Sequence, residues 1–215
     1  GIYEITIKGT EIKYVRNLKI PKSNEPVTSF YSFPNLYIGT KANGVFVYNF
    51  STKIWKNYTA ENSSILSNNV RKIVQDDQGN VLIGTLRGLS VFNRNNESFT
   101  NYRHESINKQ SLSQNSIYDI YIDNQSNIWL GTYFGGLNYV FRNPYNITTY
   151  SPTYNQKSKL NSEIISSIAE SKDHIWIATE EEGIAKLNKN TLEITPLTNL
   201  AKSNLIKDIY IKDDK

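Results

Sequence analysis

Few side chains in this sequence are of the kinds that break bonds. There are two histidines and no cysteine. His104 sits in a long connection and His174 at a turn, and neither has an evident cluster of metal ligands beside it. The run Asp76-Asp77-Gln78-Gly79-Asn80 opens like a calcium loop but lacks the later oxygen ligands and the closing glutamate. It reads as a hairpin turn. Glycoside hydrolysis would need two facing carboxylates, and no spacing here demands them. What remains are residues that recognise rather than react. Tyr133 and Phe134 are adjacent rings able to stack on the apolar face of a sugar, while Asn43, Arg87 and Glu181 could bind its hydroxyls, a uronate or a sulfate. The expected chemistry is non-covalent binding, with no catalytic residue, metal or cofactor. The competing expectation is that the two rings pack against a neighbouring element, and that Glu180-Glu181-Glu182 is a solvated hairpin tip.

These five candidates occupy one recurring place. The phrase LYIGTKANGVFVY (from Leu36) returns as NVLIGTLRGLSVF (from Asn80), NIWLGTYFGGLNYV (from Asn127) and HIWIATEEEGIAKL (from His174). Its threonines, Thr40, Thr85, Thr132 and Thr179, are 45, 47 and 47 residues apart, and each candidate follows one of them closely. A second phrase lies upstream of three copies: VRKIVQDDQGN from Val70, IYDIYIDNQSN from Ile117 and ISSIAESKDH from Ile165. A third precedes it, with Leu66, Leu112 and Leu160 in step. Each unit holds four short alternating or apolar runs separated by Asn, Asp, Gly, Ser or Pro, and none has sustained helical periodicity. Four antiparallel strands at this period predict blades of a β-propeller. The expected fold is all-β, about four and a half blades: a half blade over 1–24, blades over 25–66, 67–112, 113–160 and 161–203, and the first strand of another over 204–215.

That frame gives the recurring residues structural tasks. Trp129, Trp176, Tyr37 and Leu82 share a position on the second strand and are expected between blades. Gly39, Gly84 and Gly131, with Ala178 in the last copy, keep that strand thin where another element approaches. Gly44, Gly88, Gly136 and Gly183 follow hairpin tips, where a left-handed backbone is expected.

The 215 residues are 38% hydrophobic and 20% charged, with 15 tyrosines and 8 phenylalanines, a globular and strand-favouring composition. The net charge of +4 is spread along the chain rather than gathered in a stripe, which argues against a nucleic-acid partner. No apolar run approaches a membrane span, so direct membrane contact is not expected. A chain that starts at Gly1 and contains no methionine reads as a cut-out fragment.

The set LSxNxV, DxxGN, two apolar residues with Gly-Thr, then Gly-Leu resembles the two-component regulator propeller repeat. It is fullest in LSNNVRKIVQDDQGNVLIGTLRGLSVF and LSQNSIYDIYIDNQSNIWLGTYFGGL. The last copy departs from it at Ser171 and Ala178, and the first copy has a shortened hairpin, SFPN. The resemblance implies a non-catalytic slice of the periplasmic sensor region of a hybrid two-component histidine kinase, cut from a propeller of seven blades. It implies an oligosaccharide ligand, control of glycan-utilisation genes, and a homodimer formed through the full sensor region. The alternative is an interaction or dimerisation scaffold with its ligand site elsewhere. The slice itself is expected to be an open arc, to pair its edge with a second copy, or to use Ile206 to Ile211 to complete the sheet begun at Gly1.

Overall fold

The computed structural model describes residues 2–8, 11–21, 26–32, 34–140, 147–152, 160–197 and 203–212. Among these, all regular structure is strand. A two-stranded sheet, β1 (Ile2–Lys8) and β2 (Glu11–Leu18), opens the chain. Four four-stranded antiparallel sheets follow. The first is β3 (Pro26–Ser32), β4 (Asn35–Thr40), β5 (Val45–Asn49) and β6 (Ile54–Tyr58). The second is β7 (Val70–Gln75), β8 (Val81–Thr85), β9 (Gly88–Asn93) and β10 (Ser98–Tyr102). The third is β11 (Ile117–Ile122), β12 (Ile128–Thr132), β13 (Leu137–Val140) and β14 (Ile147–Tyr150). The fourth is β15 (Ile165–Glu170), β16 (His174–Thr179), β17 (Ile184–Asn188) and β18 (Ile194–Leu197). In each sheet the strands pair in chain order, and β3, β7, β11 and β15 lie against one another on the inside. These are propeller blades.

The recurring phrase is a hairpin lock. Thr40, Thr85, Thr132 and Thr179 are at most 2% exposed. Each hydroxyl donates to the carbonyl of the hairpin glycine, Gly44, Gly88, Gly136 or Gly183, at 2.7–3.0 Å. In three copies the same oxygen accepts an amide from the tip, that of Asn43, Arg87 or Glu182. A hydroxyl that donates and accepts satisfies a buried turn that valine, its isostere, could not. Glycine is required after the tip: at Gly136 φ is +70°, and an added Cβ would stand 2.2 Å from the carbonyl oxygen of Tyr150.

Blades stack through two contacts from the same phrase. The thin position of the second strand receives a β-branched residue of the next blade's inner strand. A Cβ on Gly39, Gly84 or Gly131 would meet Val70, Ile117 or Ile165 at 2.4–2.8 Å. Farther out, Trp129 is 1% exposed and stacks on Tyr139, ring centroids 4.1 Å apart, against Ile165, Ile168 and Ile175 of the fourth blade. Tyr37 serves the first interface beside Phe92, and Leu82 the second. Leu66, Leu112 and Leu160 are buried where the chain crosses from blade to blade.

The aspartate hairpins are structural. Asp123 Oδ1 accepts the amides of Gln125 and Asn127, and Oδ2 accepts the Asn127 side chain and the Trp129 indole N–H. Asp76 does the same for its own turn without an indole. In the last blade Ser171 stands in for the aspartate and accepts from the Trp176 indole at 2.9 Å.

Among the described residues no ladder joins 203–212 to β1 or β2. Terminal completion of the first sheet is therefore not what these residues do. They dock instead on the fourth blade. The Gly183 amide donates to the Asn204 carbonyl, as Gly44 does to Asn68 and Gly136 to Glu163. The segment thus follows the course of an inner strand, but with no second strand beside it no ladder forms, and 203–212 carries no strand assignment.

Candidate functional site

Loops joining second to third strands, and the connections to the next blade, share the upper face. The aspartate hairpins and the third-to-fourth-strand hairpins share the lower one. All five sequence candidates lie on the upper face, on successive blades, but the structure does not bring all five together. Asn43 and Arg87 give their amides to Thr40 and Thr85 within their own hairpins, and Glu181 accepts from Ser162 at 3.3 Å. Tyr133 and Phe134 are in contact, centroids 4.2 Å apart, and between them the two expectations divide. Tyr133 is partly buried and stacks on Tyr118, whereas Phe134 is 54% exposed. Phe134 also has φ +75°, the positive-φ non-glycine residue of this face among those described. Strain of this kind on an exposed aromatic is a mark of functional sites. Residues 153–159 of the connection that follows Ser151 lie outside the described residues.

The aromatic pair belongs to a larger cluster built by the inner strands. Every inner strand slips register near its start, between Val70 and Lys72, Ile117 and Asp119, Ile165 and Ser167, and likewise between Pro26 and Thr28. A bulge re-aims its extra residue, and here those residues include Arg71, Tyr118 and Ser166. The Arg71 guanidinium lies 5.0 Å from the Tyr118 ring centroid and 5.9 Å from that of Tyr133, within cation–π range. Its buried Nη1 has no hydrogen-bond partner among the described residues. Tyr118 hydrogen-bonds Glu180, and burial first, then this acceptor, pushes the phenol above its ordinary value. Glu180 also receives Lys207 Nζ at 2.6 Å. One residue deeper, Lys72 pairs with buried Asp119 at 2.7 Å, Asp119 accepts the Ile168 amide, and Ser167 donates to Asp208.

The cluster is therefore a shelf of three rings beside a cation with hydrogen-bonding capacity to spare and an acid–base pair. Such a surface can stack on a planar apolar face and bind hydroxyls or an anion. Its tail contact is expected to respond to pH. The hydrogen bond from Lys207 holds the Glu180 carboxyl below its ordinary 4.5. A lowered carboxyl contributes stability that is intact above 4.5 and lost as pH falls through its folded value. The Ile206 amide, bound to the Thr179 carbonyl, is expected to lose exchange protection on acidification in the native chain. In Glu180→Gln its protection should be lower and independent of pH below 4.5.

Reading the sequence alone missed Arg71, Tyr118, Glu180 and Lys207 as one group. The available signal was a column: Arg71, Tyr118, Ser166 and Lys207 follow the invariantly apolar Val70, Ile117, Ile165 and Ile206, and vary where their neighbours do not. Two grooves lie elsewhere. A groove of about 520 Å³ separates the first and second blades and one of about 310 Å³ the second and third. None of the five candidates lines either.

Residues 64–87 and 111–134 match the model of the two component regulator propeller family. Each of the two matched segments spans a blade-to-blade crossing, an inner strand, its aspartate hairpin and the second strand. No curated protein matches it. In fold it is similar to a structure described as the extracellular domain of a hybrid two component system, BT4673, from B. thetaiotaomicron, at TM-score 0.73 and 16% identity. The match covers 91% of this chain and 26% of that one, so this chain spans about a quarter of that length. It is also similar to PorZ, a surface component of the type-IX secretion system of Porphyromonas gingivalis (TM-score 0.64, 14% identity, 96% and 33% covered). The β-propeller domain of Swd1 from Myceliophteria thermophila shares the architecture as well (TM-score 0.62, 12% identity, 90% and 61% covered).

Proposed function

We propose that this run of two-component regulator propeller repeats is the ligand-reading part of an extracytoplasmic sensor, and that its upper face binds an oligosaccharide. The family match and the propeller fold support the sensor role. The observation that carries the ligand reading is Phe134, exposed and strained beside the Tyr118–Tyr133 stack and the partly unpartnered Arg71. Rings supply apolar faces for sugar stacking, and Arg71 supplies donors for a hydroxyl, a uronate or a sulfate. Asn43, Arg87 and Glu181 are proposed as peripheral contacts to a longer ligand. The slice itself has no catalytic task. It sits in the periplasm as part of an inner-membrane protein whose histidine kinase controls glycan-utilisation genes. Signalling requires the ligand to favour one arrangement of propellers, or of two sensor subunits, over another.

Thermal-shift screening of the intact sensor region against plant and host oligosaccharides tests this, because a ligand that binds only the folded state raises the melting temperature. One glycan class should do so, and Phe134→Ala should weaken its binding by roughly tenfold, about the worth of one lost stacking contact. If no glycan shifts the melting temperature while protein concentration does, the scaffold reading replaces this one.

A further inference from the structure

Two buried side-chain polar atoms among the described residues lack a hydrogen-bond partner, Arg71 Nη1 and Ser116 Oγ. Both belong to the framework of the upper-face rings. The Arg71 guanidinium lies over Tyr118 and Tyr133, and the Ser116 carbonyl receives the Tyr133 amide. The acids of the cluster are engaged elsewhere. Glu180 holds Lys207 and Tyr118, Asp119 holds Lys72 and the Ile168 amide, and Asp208 accepts from Ser167. Among the described residues Arg71 thus has no ion pair, whereas Lys72, next to it in the chain, has one at 2.7 Å. Ring faces attract the guanidinium but fill none of its in-plane N–H positions. A buried cationic donor left open is costly, and an acceptor from outside the chain removes that cost.

Resting on the upper-face reading, we infer that the oligosaccharide is an acidic one and that Arg71 takes its carboxylate or sulfate. A guanidinium offers parallel N–H groups that match two oxygens of either anion, and such a charge-assisted pair is stronger than a bond to a neutral hydroxyl. The rings set the pose. Phe134, Tyr133 and Tyr118 form a continuous row, with centroid separations of 4.2 and 6.0 Å, and Arg71 closes its inner end, 5.0 Å from the Tyr118 centroid. A sugar chain stacked along this row from exposed Phe134 meets the guanidinium at that end. Charge on the hairpin tips gives the ligand a direction. Lys41 and Arg87 are exposed on the first and second blades, and Glu181 and Glu182 on the fourth. An anionic group is therefore drawn to the Arg71 side and repelled from the far one.

Paired glycans that differ only in charge test this on the intact sensor region. Oligogalacturonate against its methyl ester reads the carboxylate, and sulfated against unsulfated galacto-oligosaccharides read the sulfate. In one pair the acidic member is expected to bind at least about tenfold more tightly than its neutral partner. Arg71→Gln should bring that ratio close to one, while Phe134→Ala weakens both members alike and leaves the ratio intact. Arg71→Lys, which keeps the charge and loses the fork, is the second variant should Arg71→Gln fold poorly, and it should lose most of the ratio. A neutral glycan bound as tightly as its acidic partner, or an acid preference that survives in a folded Arg71 variant, overturns the inference and leaves the upper-face reading standing. If no glycan of either kind binds, that reading falls and this inference with it.

Discussion

Trp129→Ala is expected to cost roughly 3–5 kcal/mol, the range for emptying a large buried aromatic site. The indole is 1% exposed, stacks on Tyr139, and supplies the wall against which Ile165, Ile168 and Ile175 pack. Its loss opens a void that neither rigid sheet can close, and it leaves Asp123 Oδ2 short of one donor. Chemical denaturation followed by fluorescence of the remaining Trp55 and Trp176 measures the effect. Because repeat folds are held by nearest-neighbour interfaces, the damage should be greatest between the third and fourth blades. Hydrogen exchange should rise first in β15 and β16. Trp129→Phe, which keeps a ring, should lose less than half as much.

Asp123→Ala should be nearly as damaging, at roughly 3–4 kcal/mol, because hydrogen bonds to a buried charge are worth about 1.5–3 kcal/mol each and are not fully additive. Four donors converge on this carboxylate, and three of them, the Asn127 amide, its side chain and the Trp129 indole, come from buried residues. Asp76→Ala is the internal control. That carboxylate holds the same turn on a more exposed hairpin and binds no indole, so its loss should cost about 1–2 kcal/mol. A double-mutant cycle between Asp123→Ala and Trp129→Phe should give a coupling of about 1–2 kcal/mol, since the two side chains touch. Equal effects at Asp76 and Asp123 would contradict the role assigned to the indole contact.

The repeat made most of this architecture legible. Period, strand count and the tasks of Gly84 and Gly88 all follow from local rules that the chain applies repeatedly, and local rules are what a single sequence displays. The site was half legible for the same reason. Tyr133 and Phe134 stood out because they occupy a hairpin tip whose neighbours are fixed. Arg71 and Tyr118 did not, because a strand's alternation says nothing of a bulge, and the bulge is what brings them together. The partnership of Glu180 with Lys207 depends on where 203–212 docks, a tertiary event with no local sign. The expected conjunction of Asn43, Arg87 and Glu181 rested on their sharing a face, and sharing a face does not make them neighbours when each blade is rotated from the last.

The account rests on the upper face as the reading surface. Hydrogen exchange of the intact sensor region, with and without the oligosaccharide that raises its melting temperature, tests that most directly. Protection is expected over 131–136 and at the bulges around Arg71 and Tyr118, with the lower hairpins unchanged. Protection confined to the lower hairpins at 76–80 and 123–127, or to the outer strands, would contradict it.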